Sequence, residues 1–279
     1  MSTAIIDTRL KWHGRLHALV KEFRRRDALL FWTGAAPLLL VPLMLAVAPF
    51  DERLVTGINP WIKPIKFTVA GAVYLLTLAW FMPDVPASTK ARQRVSKVAA
   101  FSMLAELALV MMQAARGTSS HFNERAPFDA AVFAMMGLLI MVNTVAVGYV
   151  TWRFWRADAQ LPAPYLWGLR FGLLFFILAG FEGFAMVRLK SHSVGVADGG
   201  PGLPFLNWST KGGDLRAAHF IGLHALQVLP LVGYLFSSSR LTGRIKNPTR
   251  WVWTISMMYA GLSLLLFLQA LSGSPLLSY

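Results

Sequence analysis

Residues 127–150 read PFDAAVFAMMGLLIMVNTVAVGYV, and Asp129 is the one charged side chain among them. A helix of this length spans about 36 Å at about 1.5 Å per residue, more than the roughly 30 Å of hydrocarbon in a bilayer. Its apolar side chains are spread over every side of the helix, so no face is left for water. The stretch therefore reads as a membrane span. Six further runs have the same character, at 28–48, 61–82, 98–115, 165–187, 216–237 and 251–271. The chain is expected to be all-α, a polytopic bundle of seven transmembrane helices.

Composition agrees. With 56% of its residues hydrophobic and 14% charged, the 279-residue chain is too apolar for a water-soluble core of that size. The formal charge of +14 raises the question of nucleic acid, but the basic residues sit in short clusters beside apolar runs. That placement suits anionic lipid headgroups, so the bilayer is the expected partner and no nucleic acid is. The chain contains no cysteine, which removes disulfides, thiolate-held zinc and iron–sulfur clusters. Histidine, carboxylate and methionine remain as metal ligands, and the methionine pairs at 111–112, 135–136 and 257–258 hint weakly at copper.

Residues 1–27 form a separate amphipathic segment before the transmembrane domain of residues 28–279. Leu16, Leu19, Val20 and Phe23 share one helical face, and Lys11, Arg15, Lys21 and Arg24 to Arg26 surround it. This is the pattern of an interfacial helix. His13 and His17 are four apart but lack a third ligand. A cleaved leader is not expected, because the run that begins at Ala28 contains Pro37 and Pro42 and ends without a small-residue cleavage site.

Lys and Arg set the orientation. One side collects Arg9, Lys11, Arg15, Lys21 and Arg24 to Arg26, then Lys90, Arg92, Arg94 and Lys97, then Arg153, Arg156 and Arg170, then Arg240, Arg244, Lys246 and Arg250. That side is expected to be cytoplasmic, with the N-terminus inside and the C-terminus outside a bacterial inner membrane. The connections carrying Asn59 and His121 then face out. So does the long loop at 188–215, whose Gly, Pro, His and Asp content suggests a lid or a binding loop. Gly168 with Gly172, and Gly180 with Gly183, are the expected helix contacts.

The outer side nevertheless holds Lys63, Lys66, Arg116, Arg188, Lys190, Lys211 and Arg216 at helix ends. Cations gathered there meet buried carboxylates or an anionic ligand. We expect Lys63, Lys66, Arg116 and Arg216 to receive an anion. Two carboxylates lie within spans, Glu106 and Glu182, and an ionised carboxylate in hydrocarbon needs a partner, so both should face the interior as proton-transfer groups. Glu106, Gln113 and Arg116 fall on one stripe leading to the outer surface. Asn143 and Gln227 add buried polar groups.

Four histidines, His121, His192, His219 and His224, lie on the outer side and are the candidate metal ligands. A surface site would combine His121, His192 and His219 with Asp198 or Asp214 around zinc, copper or iron. A deeper site would combine His224 with Glu182 or Glu106. Alternatively, two of the imidazoles would ligate a b-type haem, its propionates received by the outer cations. His219 and His224 are five apart, about 140° around a helix, and should turn to different neighbours. Gly-rich DGGPGLP at 198–204 and KGGDLR at 211–216 could cradle an anion, although Asp214 is placed to cap the following helix. Neither matches a nucleotide fingerprint.

The strings INPWIKPIKF (58–67), QAARGTSSHFN (113–123) and DGGPGLPFLNWSTKGGDLRAAHFIGLHALQVLPL (198–231) resemble those of an uncharacterised family of bacterial multi-pass membrane proteins. The resemblance implies the architecture and no activity. From the residues, two functions are open. One is a metal- or haem-dependent membrane redox enzyme acting on an anionic or lipid-soluble substrate. The other is a transporter, channel or receptor for a small anion or lipid headgroup, which needs a polar path to the cytoplasmic side.

Overall fold

The computed structural model describes residues 12–238 and 245–278. Arg9, Lys11, Arg240 and Arg244, used above for orientation, and the side chain of His13 lie outside the described residues. Among the described residues, seven helical stretches are long and apolar enough to cross a membrane, and they make the chain an integral, multi-pass membrane protein.

The helices are α1 (Trp12–Arg26), α2 (Ala28–Ala35), α3 (Leu40–Val47), α4 (Ile62–Phe81), α5 (Thr89–Ala115), α6 (Pro127–Arg156), α7 (Ala163–Leu189), α8 (Leu215–Phe236) and α9 (Pro248–Leu271). α2 and α3 are two halves of one span. Between them, Ala36–Leu39 tightens to a 3-10 turn, because Pro37 has no N–H to continue the α-helical ladder. Asp27 caps α2 by accepting from Leu30 N at 3.0 Å and also accepts from Ser96 Oγ at 2.6 Å, which ties the first span to α5.

Contacts separate the two ends of the bundle. At the basic end, Arg26 bonds Asp84 at 2.6 Å and the Trp80 carbonyl at 2.7 Å, Arg153 reaches the Pro86 carbonyl, and Arg170 reaches that of Phe154. α1 lies here as the expected interfacial helix. Its apolar stripe is divided, with Phe23 docked on Trp80 at 5.1 Å between rings while Leu16 and Val20 stay exposed, as contact with a bilayer surface requires. The half of the bundle behind this end is filled by Leu30, Leu75, Leu78, Val147, Val150, Phe154, Leu169, Leu173 and Leu226.

α7 and α8 are the most tightly joined pair, and small residues allow it. A methyl group built on Gly222 would stand 2.6 Å from Ala179 Cβ, and one on Gly172 would stand 2.8 Å from the Ala225 carbonyl. Gly168 faces the Leu229 carbonyl in the same way. Gly180 does not take part: nothing lies within 4 Å of the space its Cβ would fill.

At the opposite end, the connection between α7 and α8 is an ordered strap. Ser193–Val194 (β1) pairs antiparallel with Gly213–Asp214 (β2), and Gly202 bridges Ser209. Lys66 donates to the carbonyls of Phe205 and Leu206 at 3.0 and 3.1 Å, Asn207 donates to Thr56 O at 3.1 Å, and Lys190 pairs with Glu124 at 2.5 Å. The strap thus closes over α4 and the 116–126 connection.

Candidate functional site

Lys63 lies one turn before Lys66 at the start of α4, a spacing that puts both on the face beneath the strap. Its ammonium lies 3.2 Å from His121 Nδ1, which also lies 3.0 Å from Ser120 Oγ. The His121 ring is surrounded by Phe67 at 5.7 Å, Phe122 at 6.1 Å and Phe133 at 6.1 Å. Burial among them, and then the nearby charge of Lys63, hold the imidazole pKa well below its ordinary 6.5, so His121 is neutral. Lys63 also lies within electrostatic range of Lys66 and Arg216, and of Glu106 and Asp198.

His192 is fixed from the strap. Asp198 accepts from its ring Nδ1 at 2.7 Å, from the backbone N–H of His192 and Ser193 at 3.0 Å each, and from Ser191 Oγ at 3.0 Å. Burial alone would raise the Asp198 pKa, but these bonds outweigh it and hold the carboxyl below its usual range. A carboxylate only accepts, so the proton sits on His192 Nδ1 and the Nε2 lone pair points away from Asp198. Burial also lowers the His192 pKa, against the pull of Asp198, and the ring is neutral. Phe122 packs 4.9 Å from His192 as well as against His121.

His219, on α8, faces α7, where its Nδ1 donates to the Ala179 carbonyl at 2.7 Å. That bond again leaves Nε2 free. His224 turns to another neighbour, as its spacing predicts: Nδ1 donates to Gln227 Oε1 at 3.1 Å, and Gln227 donates to Thr77 of α4 at 3.0 Å. His224 is thereby committed to an α4–α8 clamp. Glu182 lies at the α7–α8 contact beside Gly222, and its Oε2 has no hydrogen-bond partner. Glu106 is 1% exposed and its Oε2 is also unpartnered.

The stripe expected along α5 is divided. Gln113 and Arg116 both reach Asp129 on α6, Gln113 at 3.0 Å, while Glu106 stands apart. Asp129 is the residue sequence reasoning missed, because an acid two residues after Pro127 is explained by the helix dipole alone. Arg216 is likewise committed, with Nε and Nη2 on the Asp214 carboxylate at 2.9 and 2.6 Å. Asp214 caps α8 by accepting from Arg216 N at 3.0 Å. Of the four expected anion receivers, Lys66 holds the strap, Arg116 and Arg216 hold carboxylates, and Lys63 faces an imidazole.

Among the described residues, no three His, Asp or Glu side chains are grouped so as to hold a metal ion. Asp214 is taken up by Arg216 and Asp198 by the strap. The His121 and His192 rings share Phe122 as a packing neighbour, where a haem held by both would need an open plane. No family model matches the chain, and no curated protein or solved structure is similar to it.

Proposed function

We propose that this membrane protein binds an anionic group of a small substrate on Lys63 beneath the strap, and exchanges protons with it through neighbouring imidazoles and carboxyls. The observation that carries the reading is the pairing of Lys63. Arg116, Lys190 and Arg216 each have a carboxylate within 4 Å, whereas among the described residues the half-buried Lys63 has an imidazole and no ion pair. Even partial burial of a cation without a counterion is costly, and a bound anion would offset that cost. Neutral His192, oriented through Nδ1 by Asp198, offers Nε2 as a base. Glu106 and Glu182 are the proton-transfer groups deeper in the bundle. The reading is an acid–base enzyme of a bacterial inner membrane with the basic end cytoplasmic. The apolar packing behind the basic end favours one-sided access over transport.

The test uses full-length protein in nanodiscs at low ionic strength, with inorganic phosphate, acetate and decyl phosphate as probes. Thermal stabilisation should follow RT ln(1 + [L]/Kd), about 2.7 kcal/mol at one hundred times Kd. Lys63→Met should abolish it and Lys190→Met should not. Equal stabilisation of the Lys63→Met protein, or none of the wild type by any probe, would overturn the reading.

One observation favours a second reading. A carboxylate on Nδ1 with Nε2 turned outward, as in Asp198–His192, is how metal-binding imidazoles are commonly oriented. A transition metal on His192 with His121 or His219 would support redox chemistry, and elemental analysis with a visible spectrum of purified protein decides it.

A further inference from the structure

Glu106 has a second surrounding, away from Lys63. A cavity of about 20 Å³ runs between the first span, α4 and α5, lined by Thr33, Gly34, Pro37, Thr68, Leu104 and Glu106 among others. Leu104 is 45% exposed, and Phe101, one turn before it, is 69% exposed. In a membrane span that surface is lipid, so the cavity opens toward acyl chains and not toward the strap.

The polar lining is made of acceptors. Glu106 Oε2 is buried with no partner. Pro37 has no N–H to give the carbonyl of Thr33, four residues back. Thr33 and Thr68 direct their hydroxyl hydrogens to the carbonyls of Leu29 at 2.7 Å and Pro64 at 2.8 Å, so their oxygens can only accept from the cavity. The first span also departs from α-helix here, and irregular backbone at membrane depth is expected where it lines a cavity. The volume admits one group the size of a water molecule, which excludes sugar, phosphate and choline heads.

We infer that this cavity is a lipid-side portal for the hydroxyl head of an uncharged lipid-soluble molecule, an alcohol or phenol, which donates its hydrogen bond to Glu106. The tail leaves past Leu104 into the bilayer. The portal deepens the proposed function, in which Glu106 is a proton-transfer group, but hydroxyl binding here does not require an anion on Lys63. A site of this kind supplies the protein with a substrate that never enters the aqueous phase.

The experiment esterifies carboxyl groups of full-length protein in nanodiscs with a slim-headed lipid-soluble diazoalkane (1-diazodecane) and, separately, with a water-soluble diazo amide (2-diazoacetamide), and maps adducts by peptide mass. Glu106 should be modified by the lipid-soluble reagent alone. 1-Decanol at ten times its Kd should slow that labelling about tenfold, and decane should not. Gly71→Leu should obstruct the portal, since a Cβ there already stands 3.5 Å from Met103. Lys63→Met, which removes the anion site, should leave the protection by 1-decanol intact, and this separates failure of the portal from failure of the Lys63 reading. Labelling of Glu106 by the water-soluble reagent at an equal rate, or no labelling at all, would overturn the portal. Labelling that decanol does not slow would assign the cavity to a buried water and overturn it too.

Discussion

Acidification should open the strap. His121 is neutral in the closed protein, and its pKa returns to about 6.5 when the strap lifts and water reaches it. The folded value lies below the unfolded one, so below pH 6.5 the opened state takes up a proton that the closed state does not. Stability is therefore present above pH 6.5 and lost as pH falls toward the folded value. Between pH 6.5 and 5 this amounts to at most about 1.6 kcal/mol, no more than roughly a fifteenfold rise in the opened population, since the Lys63 ammonium still opposes protonation of the opened imidazole. His192 adds to it in the same direction, reduced by its bond to Asp198. Asp198 stays ionised throughout this window, and its own contribution is lost only as pH falls below about 3.8. The assay is amide hydrogen exchange at His192 and Ser193, whose N–H groups Asp198 holds, corrected for the intrinsic pH dependence of exchange. His121→Asn should remove most of the slope. Protection that is unchanged or greater at pH 5 would refute the assignment of neutral, water-shielded imidazoles.

Three further outcomes follow from packing and hydrogen bonding. Gly222→Ala should lower stability by about 1–3 kcal/mol through its clash with Ala179, while Gly180→Ala, in open space, should be neutral or gain up to about 1 kcal/mol; thermal unfolding in one detergent compares them. Asp129→Leu should lower stability by about 1–3 kcal/mol in the same assay, because the fully buried Gln113 loses its acceptor. Tyr74→Phe strands Asn143 Oδ1 and should have a similar effect, and adding Asn143→Leu should recover most of the loss, since removing both partners is nearly neutral.

The spans were legible because hydrocarbon imposes one simple demand, a long apolar helix, and 127–150 meets it without help from the rest of the chain. The expected sidedness rests on Lys and Arg at helix ends. Pairing was not legible. Arg116 and Asp129 are thirteen residues apart across a turn, and nothing in either segment shows that they meet. His192 and Asp198 are six apart in a stretch without periodicity, so their bond is visible only once the strap is folded. Asp214 was read as a cap and is one, but the same carboxylate also neutralises Arg216, a second role that local sequence cannot separate from the first. Histidine identity suggested a ligand cluster, and only the folded backbone shows that His224 turns to Gln227 and His219 to the Ala179 carbonyl.

The strap also implies an order of biogenesis. Its internal bonds around Asp198 join residues five to seven apart, whereas its anchors on Lys66 reach back 139 and 140 residues. Short-range closures form quickly and distant ones late. The hairpin of α7 and α8 can therefore leave the translocon with its own cap already shaped, and docking onto the earlier helices becomes the last event of maturation. Weakening the Lys66 anchor should yield inserted, helical protein that stops at that stage.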